Sequence, residues 1–159
     1  MPIDPNAQSS SAAGRGNGEM ILVIEDEAGV REMVRMLLEF RGYRALVAEN
    51  GTDGLALYRQ HLSSVKAIVT DMRMPTMHGV QVIEGLRLIN PNARIVVMSG
   101  VIDGNSKFAE EPGRLAFLPK PMSSAELVNA LLSVLADPAP PAGASTPPCS
   151  VSNPPVPRN

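Results

Sequence analysis

Five short apolar runs alternate along this chain with stretches whose apolar residues recur at helical spacing, and no other feature narrows the fold as far. The runs are residues 20–24, 45–48, 67–70, 94–98 and 115–118, each closed by an acid, a hydroxyl or a turn residue. Apolar runs of this length bounded by turn signals are strands buried on both faces, which is how parallel sheets read. After the first run, Val30, Met33, Val34, Leu37 and Leu38 fall on one face of a helix that Gly42 ends. Asn50-Gly51 reads as a turn, and Leu55, Leu57 and Tyr58 then lie in a second helix ending near Leu62. Val80, Val82, Ile83 and Leu86 mark a third helix, stopped before Asn90-Pro91 because proline disfavours a helical residue ahead of it. Ser123 with Glu126 is a capping-box signature, and Leu127, Ala130, Leu131 and Val134 supply the stripe of a last helix. Residues 102–114 carry Gly104, Asn105, Pro112 and Gly113 with little periodicity, which predicts a short or frayed helix there.

Alternating strands and helices predict an α/β fold, with a doubly wound, flavodoxin-like, five-stranded parallel sheet in the order 2-1-3-4-5. At 159 residues the chain has room for one such domain and some excess. Residues 1–19, rich in Ser, Ala, Asn and Gly without an apolar face, are expected to be disordered, residues 20–137 to form the domain, and residues 138–159, dense in proline, to be an extended or disordered tail. Gly14-Arg15-Gly16-Asn17-Gly18 has the outline of a phosphate loop, but it precedes a strand and lacks the Gly-Lys-Ser/Thr ending, so it reads as linker. A net charge of −2 and the scarcity of aromatics argue against nucleic acid as a partner, and no basic block argues for a membrane surface. With Cys149 as the only cysteine and no apolar run of membrane-spanning length or signal-peptide core, a reducing cytoplasm is the expected location.

Chemistry concentrates where the strands end. In the predicted order Glu25 and Asp26 close the first strand, Asp71 the third, Ser99 the fourth, and Lys120 follows the fifth, all on the carboxyl edge of the sheet. A single carboxylate at a strand end is ordinarily a cap or a solvated turn residue. Three of them converging with a hydroxyl and a lysine repel one another and raise at least one pKa, which a divalent cation resolves. Hard oxygen donors without a nearby thiol point to Mg²⁺ or Mn²⁺. An open cleft leaves Asp71 as a carboxylate nucleophile, with Lys120 as a point charge and Ser99 as a donor for phosphoryl oxygens.

The segment Asp71-Met72-Arg73-Met74-Pro75-Thr76-Met77-His78-Gly79 resembles the phosphoacceptor loop of response-regulator receiver domains. Glu25-Asp26, Ser99 and Lys120-Pro121 match that family's acid pair, switch hydroxyl and lysine, so the resemblance spans roughly residues 20–137. It implies phosphorylation of Asp71 by a histidine kinase or histidine phosphotransfer protein, with Mg²⁺ held by Asp26, Asp71 and the backbone carbonyl of Arg73, and Glu25 acting mainly through water. It also implies a cis Lys120-Pro121 bond and a switch aromatic at Phe117. The chain is then no enzyme beyond its own phosphorylation and slow dephosphorylation, and its output is protein–protein contact or phosphate relay. Glu25 departs from the family's commoner aspartate, and Phe117 lacks a hydroxyl, so a switch there relies on packing.

Other readings compete. The chain also suits a receiver module of a hybrid histidine kinase. A Mg²⁺-dependent phosphatase with an aspartyl nucleophile usually carries a second Asp two residues on, where this chain has Arg73. A receiver-like scaffold that never takes phosphate does not need the acid, serine and lysine set. The resemblance to receiver domains also implies that Arg73 and Val101, two residues after Asp71 and Ser99, flank the path of a hydrolytic water, and neither accepts a hydrogen bond through its side chain. His78 reads as a solvated loop residue, His61 as a helix end, Met72, Met74 and Met77 as gap fillers, and Cys149 as an inert tail residue.

Overall fold

A computed structural model of the protein describes residues 15–100 and 114–136. The elements are β1 (Met20–Ile24), α1 (Ala28–Phe40), β2 (Arg44–Ala48), α2 (Gly51–Gln60), β3 (Val65–Asp71), α3 (Gly79–Ile89), β4 (Ile95–Ser99), β5 (Leu115–Pro119) and α4 (Ser124–Leu135). The strands form one five-stranded sheet in the order β2-β1-β3-β4-β5, with every neighbouring pair parallel. This is the flavodoxin-like arrangement that the alternation predicts. The expected short helix over 102–114, Val101, the proline-rich tail and Cys149 lie outside the described residues, apart from Arg114.

Strand residues alternate between two apolar layers, because successive side chains of a strand point to opposite faces. Ile21, Val23, Ala67, Val69, Val96, Met98 and Leu118 pack with Val34 and Leu38 of α1 and Leu127, Val128, Leu131 and Val134 of α4. Leu22, Ile24, Ile68, Ile95, Val97 and Leu115 pack on the other face with Tyr58 of α2 and Val82, Ile83 and Leu86 of α3. Both faces are thus covered, and the carboxyl edge is left to polar residues.

Two local readings differ in detail. Asn50 is the N-cap of α2 and not a free turn residue: its side-chain oxygen accepts from the Asp53 amide at 2.8 Å. Asn serves turns and caps equally well, so the residue type alone does not separate them. The third strand runs from Val65 to Asp71, longer than the apolar run 67–70, because Lys66 faces solvent and Asp71 itself still pairs with Met98. The capping box of α4 is present, with Ser123 Oγ accepting from the Glu126 amide at 3.3 Å and Glu126 accepting from the Ser123 amide at 2.7 Å.

Residues 15–19, which composition placed in a disordered segment, are held against the α1–β2 connection. The Gly16 amide donates to the Arg41 carbonyl at 2.7 Å, the Gly18 amide to the Gly42 carbonyl at 2.9 Å, and the Arg44 amide to the Glu19 carbonyl at 2.9 Å. Glycine is required here: a Cβ at Gly16 would lie 2.5 Å from the buried Tyr43 ring, and at Gly42, with φ +87°, a Cβ would lie 2.6 Å from the Gly16 carbonyl oxygen. A chain starting at Met20 is therefore expected to melt about 4 °C or more below one starting at Arg15, the shift that about 1 kcal/mol produces in a domain of this size. Equal melting temperatures, measured by circular dichroism, would show that residues 15–19 add nothing to the fold.

Candidate functional site

The carboxyl edge of the sheet gathers the acids as the strand order requires. Glu25 leaves β1 with 1% of its surface exposed, and Asp71 ends β3 with 6% exposed. Asp26 is exposed beside them, and one carboxylate oxygen from each of Glu25, Asp26 and Asp71 lies within 4.8 Å of the others. Such a group of hard oxygen donors can hold a divalent cation. Lys120 reaches in from the end of β5, with Nζ 3.1 Å from Glu25 Oε2 and 3.2 Å from Asp71 Oδ1.

Each of these side chains is set by its backbone. The Lys120 amide donates to the Ser99 carbonyl at 2.8 Å, continuing the β4–β5 ladder past Pro119. The Lys120-Pro121 peptide bond is cis. Ser99 is buried at the end of β4, one strand away from Asp71. Glu25 is held at three points: its amide donates to the Ala48 carbonyl at 3.1 Å, its Oε1 accepts from the Glu27 amide at 3.2 Å, and its Oε2 accepts from Lys120. Both of its carboxylate oxygens are therefore already engaged, whereas Asp26 opens to solvent.

The loop after Asp71 turns back tightly. The Gly79 amide donates to the Met72 carbonyl at 3.0 Å, and a Cβ on Gly79 would stand 2.8 Å from the Met72 Cα, so only glycine allows this closure. Met74 is buried, and Met72 and Met77 pack against the apolar layer of α2 and α3, as gap fillers do. Arg73 and His78 are exposed; His78 is the N-cap of α3, its amide donating to Gln81 Oε1 at 3.1 Å. Phe117 lies in β5 opposite Val97, half-buried against the same apolar layer.

Burial pushes the Glu25 carboxyl above its ordinary pKa, and the Asp71 charge adds to the rise, while the Lys120 and Glu27 hydrogen bonds oppose it. Burial works against the Lys120 charge as well, yet the hydrogen bond and charge of Glu25, followed by those of Asp71, hold the ammonium above its ordinary value. Both folded groups bind a proton more tightly than their unfolded counterparts. The stability this gives is full below the unfolded values and declines as pH rises through the folded ones, at lower pH for the carboxyl than for the ammonium. Ionising Glu25 thus costs the metal-free fold some stability.

A doubly wound α/β domain whose switch-point edge carries a carboxylate cluster under a lysine defines the class of protein. The family model of the response regulator receiver domain matches residues 21–132, and the chain belongs to that family. It is 35% identical over 109 residues to a response regulator receiver protein of Anaeromyxobacter sp. (strain Fw109-5), covering 68% of this chain and 45% of that one. The chain thus spans about half the length of that relative. Among solved structures, it superposes on a response regulator receiver domain protein from Clostridium thermocellum with TM-score 0.68 and 29% identity, covering 74% of this chain and 94% of that one. The receiver domain of the hybrid histidine kinase CckA is similar at TM-score 0.61 and 28% identity, covering 73% of this chain and 98% of that one. No helix among the described residues is long and apolar enough to cross a membrane.

Sequence reasoning missed Arg31, whose guanidinium Nη1 donates to the carbonyls of Glu25 at 2.8 Å and Asp26 at 3.3 Å. The available signal was a cation in the first turn of a helix, where the dipole disfavours it.

Relieving the crowding of acids is expected to stabilise the metal-free protein. Asp26→Asn should do so by about 1 kcal/mol, and Asp71→Asn by less, because it also gives up the Lys120 contact. Mg²⁺ at ten times its Kd should then add about 1.4 kcal/mol to wild type and less to either variant. Equal Mg²⁺-induced shifts in melting temperature for all three proteins would rule out a shared metal site.

Proposed function

We propose that Asp71 accepts a phosphoryl group from a phosphohistidine of a histidine kinase or histidine phosphotransfer protein, in a reaction that needs Mg²⁺. The observation that carries this reading is the placement of Asp71: a buried carboxylate at the end of β3, 3.2 Å from the Lys120 ammonium and clustered with two further acids. In the transfer an Asp71 carboxylate oxygen attacks phosphorus, the new O–P bond forms as the N–P bond breaks, and the histidine nitrogen keeps the bonding pair. Lys120 holds charge against the phosphoryl oxygens, and the Ser99 hydroxyl donates to one of them.

Asp26, Asp71 and the Arg73 backbone carbonyl would hold the Mg²⁺, with Glu25 acting through water because both of its oxygens are engaged. The bound ion supplies positive charge against the phosphoryl group. Membership of the family supports the metal and the donor class. Ser99 and Phe117 are the proposed switch residues, the half-buried Phe117 responding through packing alone. The unit that does this is the proposed receiver domain of residues 20–137, and its output is contact with another protein. The likeness to the receiver domain of a hybrid histidine kinase favours a second reading, in which this chain is the receiver module of a phosphorelay.

Incubation with Mg²⁺ and a small acyl phosphate should raise the intact mass by one phosphoryl group, and Asp71→Asn should abolish the gain. Labelling that survives Asp71→Asn, or that proceeds equally in EDTA, removes the assignment.

The phosphoprotein should be long-lived. Hydrolysis needs a water in line with the phosphorus, and the exposed Arg73 side chain offers no acceptor to orient it. Arg73→Asn combined with Val101→Glu is expected to lose phosphate several-fold faster than wild type. Matching dephosphorylation rates would mean that these side chains do not govern the water.

A further inference from the structure

We propose that Arg31 is the positioning residue of the acid pair, and that it sets the affinity of the carboxylate cluster for a divalent cation. This rests on the function proposed above and adds a residue to it. Arg31 stands in the first turn of α1, where the helix dipole is positive and a cation is disfavoured. That turn holds no acidic residue, the N-cap Glu27 makes no side-chain capping bond, and the neighbouring Glu32, whose charge Arg31 does feel, has its carboxylate hydrogen-bonded to Arg35. A residue that breaks a local rule needs its reason elsewhere in the structure.

Here the reason is the β1–α1 loop. Arg31 Nη1 donates to the Glu25 carbonyl at 2.8 Å and to the Asp26 carbonyl at 3.3 Å, so one guanidinium nitrogen holds two successive peptide planes. The second plane is held at its other end too, because the Glu27 amide donates to Glu25 Oε1 at 3.2 Å. Arg31 thus acts on the Glu25 carboxylate through a single peptide group, and Lys120 fixes the remaining oxygen. Asp26 sits between the two held planes. Its side chain opens to solvent, but the backbone from which it projects cannot turn away.

Groups fixed before binding need not be ordered when the cation arrives, and groups that orient metal ligands govern affinity for that reason. Charge makes the point sharper. A guanidinium held on the carbonyls of two residues of the cluster brings positive charge that is by itself unfavourable to a second cation, so removing it would strengthen Mg²⁺ binding if charge were its only effect. Positioning predicts the opposite sign.

The experiment is calorimetric titration of Mg²⁺ alone into the full chain as wild type, Arg31→Met and Arg31→Lys, with the melting temperature of each measured in EDTA. Phosphorylation by a small acyl phosphate is then followed at saturating Mg²⁺. Arg31→Met is expected to raise the Mg²⁺ Kd by about tenfold. Arg31→Lys should recover part of the loss, since an ammonium keeps a charged donor, and saturating Mg²⁺ should bring the phosphorylation rate of both variants close to wild type. A Kd that stays within about twofold of wild type, or that falls, overturns the proposal, whatever happens to the melting temperature. A lower melting temperature with unchanged Kd would make Arg31 a helix staple only. Should Arg31→Met fail to fold, Arg31→Lys is read by the same criterion: it must bind Mg²⁺ more weakly than wild type. Wild type that binds no Mg²⁺ would instead defeat the proposed function, and this assignment with it.

Discussion

A single ammonium group, Lys120 Nζ, stands between two buried carboxylates that belong to different strands, and the site depends on it. Glu25 is nearly sealed from water at the end of β1, and an ionised carboxylate in that position is costly unless a counter-charge meets it. Lys120 supplies that charge from the end of β5, at the far side of the sheet order from β1. Its long, flexible side chain spans the distance, and its backbone amide is fixed to the Ser99 carbonyl. The sheet order, the register of β4 against β5 and the hydrogen bond to Ser99 therefore all converge on one requirement: a positive charge above β1 and β3.

Much of this was legible in the sequence because the strands obey the simplest rule available. Residues 20–24 and 95–98 are apolar throughout, which only a strand covered on both faces tolerates, and both layers are filled. Once the strands are placed, the parallel order puts Glu25, Asp26, Asp71, Ser99 and Lys120 on one edge, and the structure places them there. Residues 15–19 were not legible, since their role lies in backbone amides and in the flatness of Gly16 against Tyr43, and composition records only the flexibility of glycine. Arg31 was hidden for a related reason. Its partners are carbonyls, which every residue carries, so no pairing of side-chain types announces it. Asn50 reads as a turn residue in the sequence, because its role as a cap depends on where the Asp53 amide points.

The two acids after β1 are neighbours in sequence and opposites in environment, and the geometry divides their work. Glu25 inherits the inward direction of the strand: both oxygens are engaged, one by a backbone amide and one by Lys120, and burial raises its pKa. A carboxylate so occupied must exchange a bond to bind a cation directly, and it serves better as an acceptor for a cation's bound water. Asp26, one residue on, faces solvent, and its oxygens can meet a hydrated ion without breaking an existing contact to Lys120. The extra methylene of a glutamate fits this division, because it carries the carboxylate back far enough to reach both the Glu27 amide and the lysine. In the proposed function the inner acid then holds the charge balance of the edge, and the outer acid presents an open ligand beside Asp71.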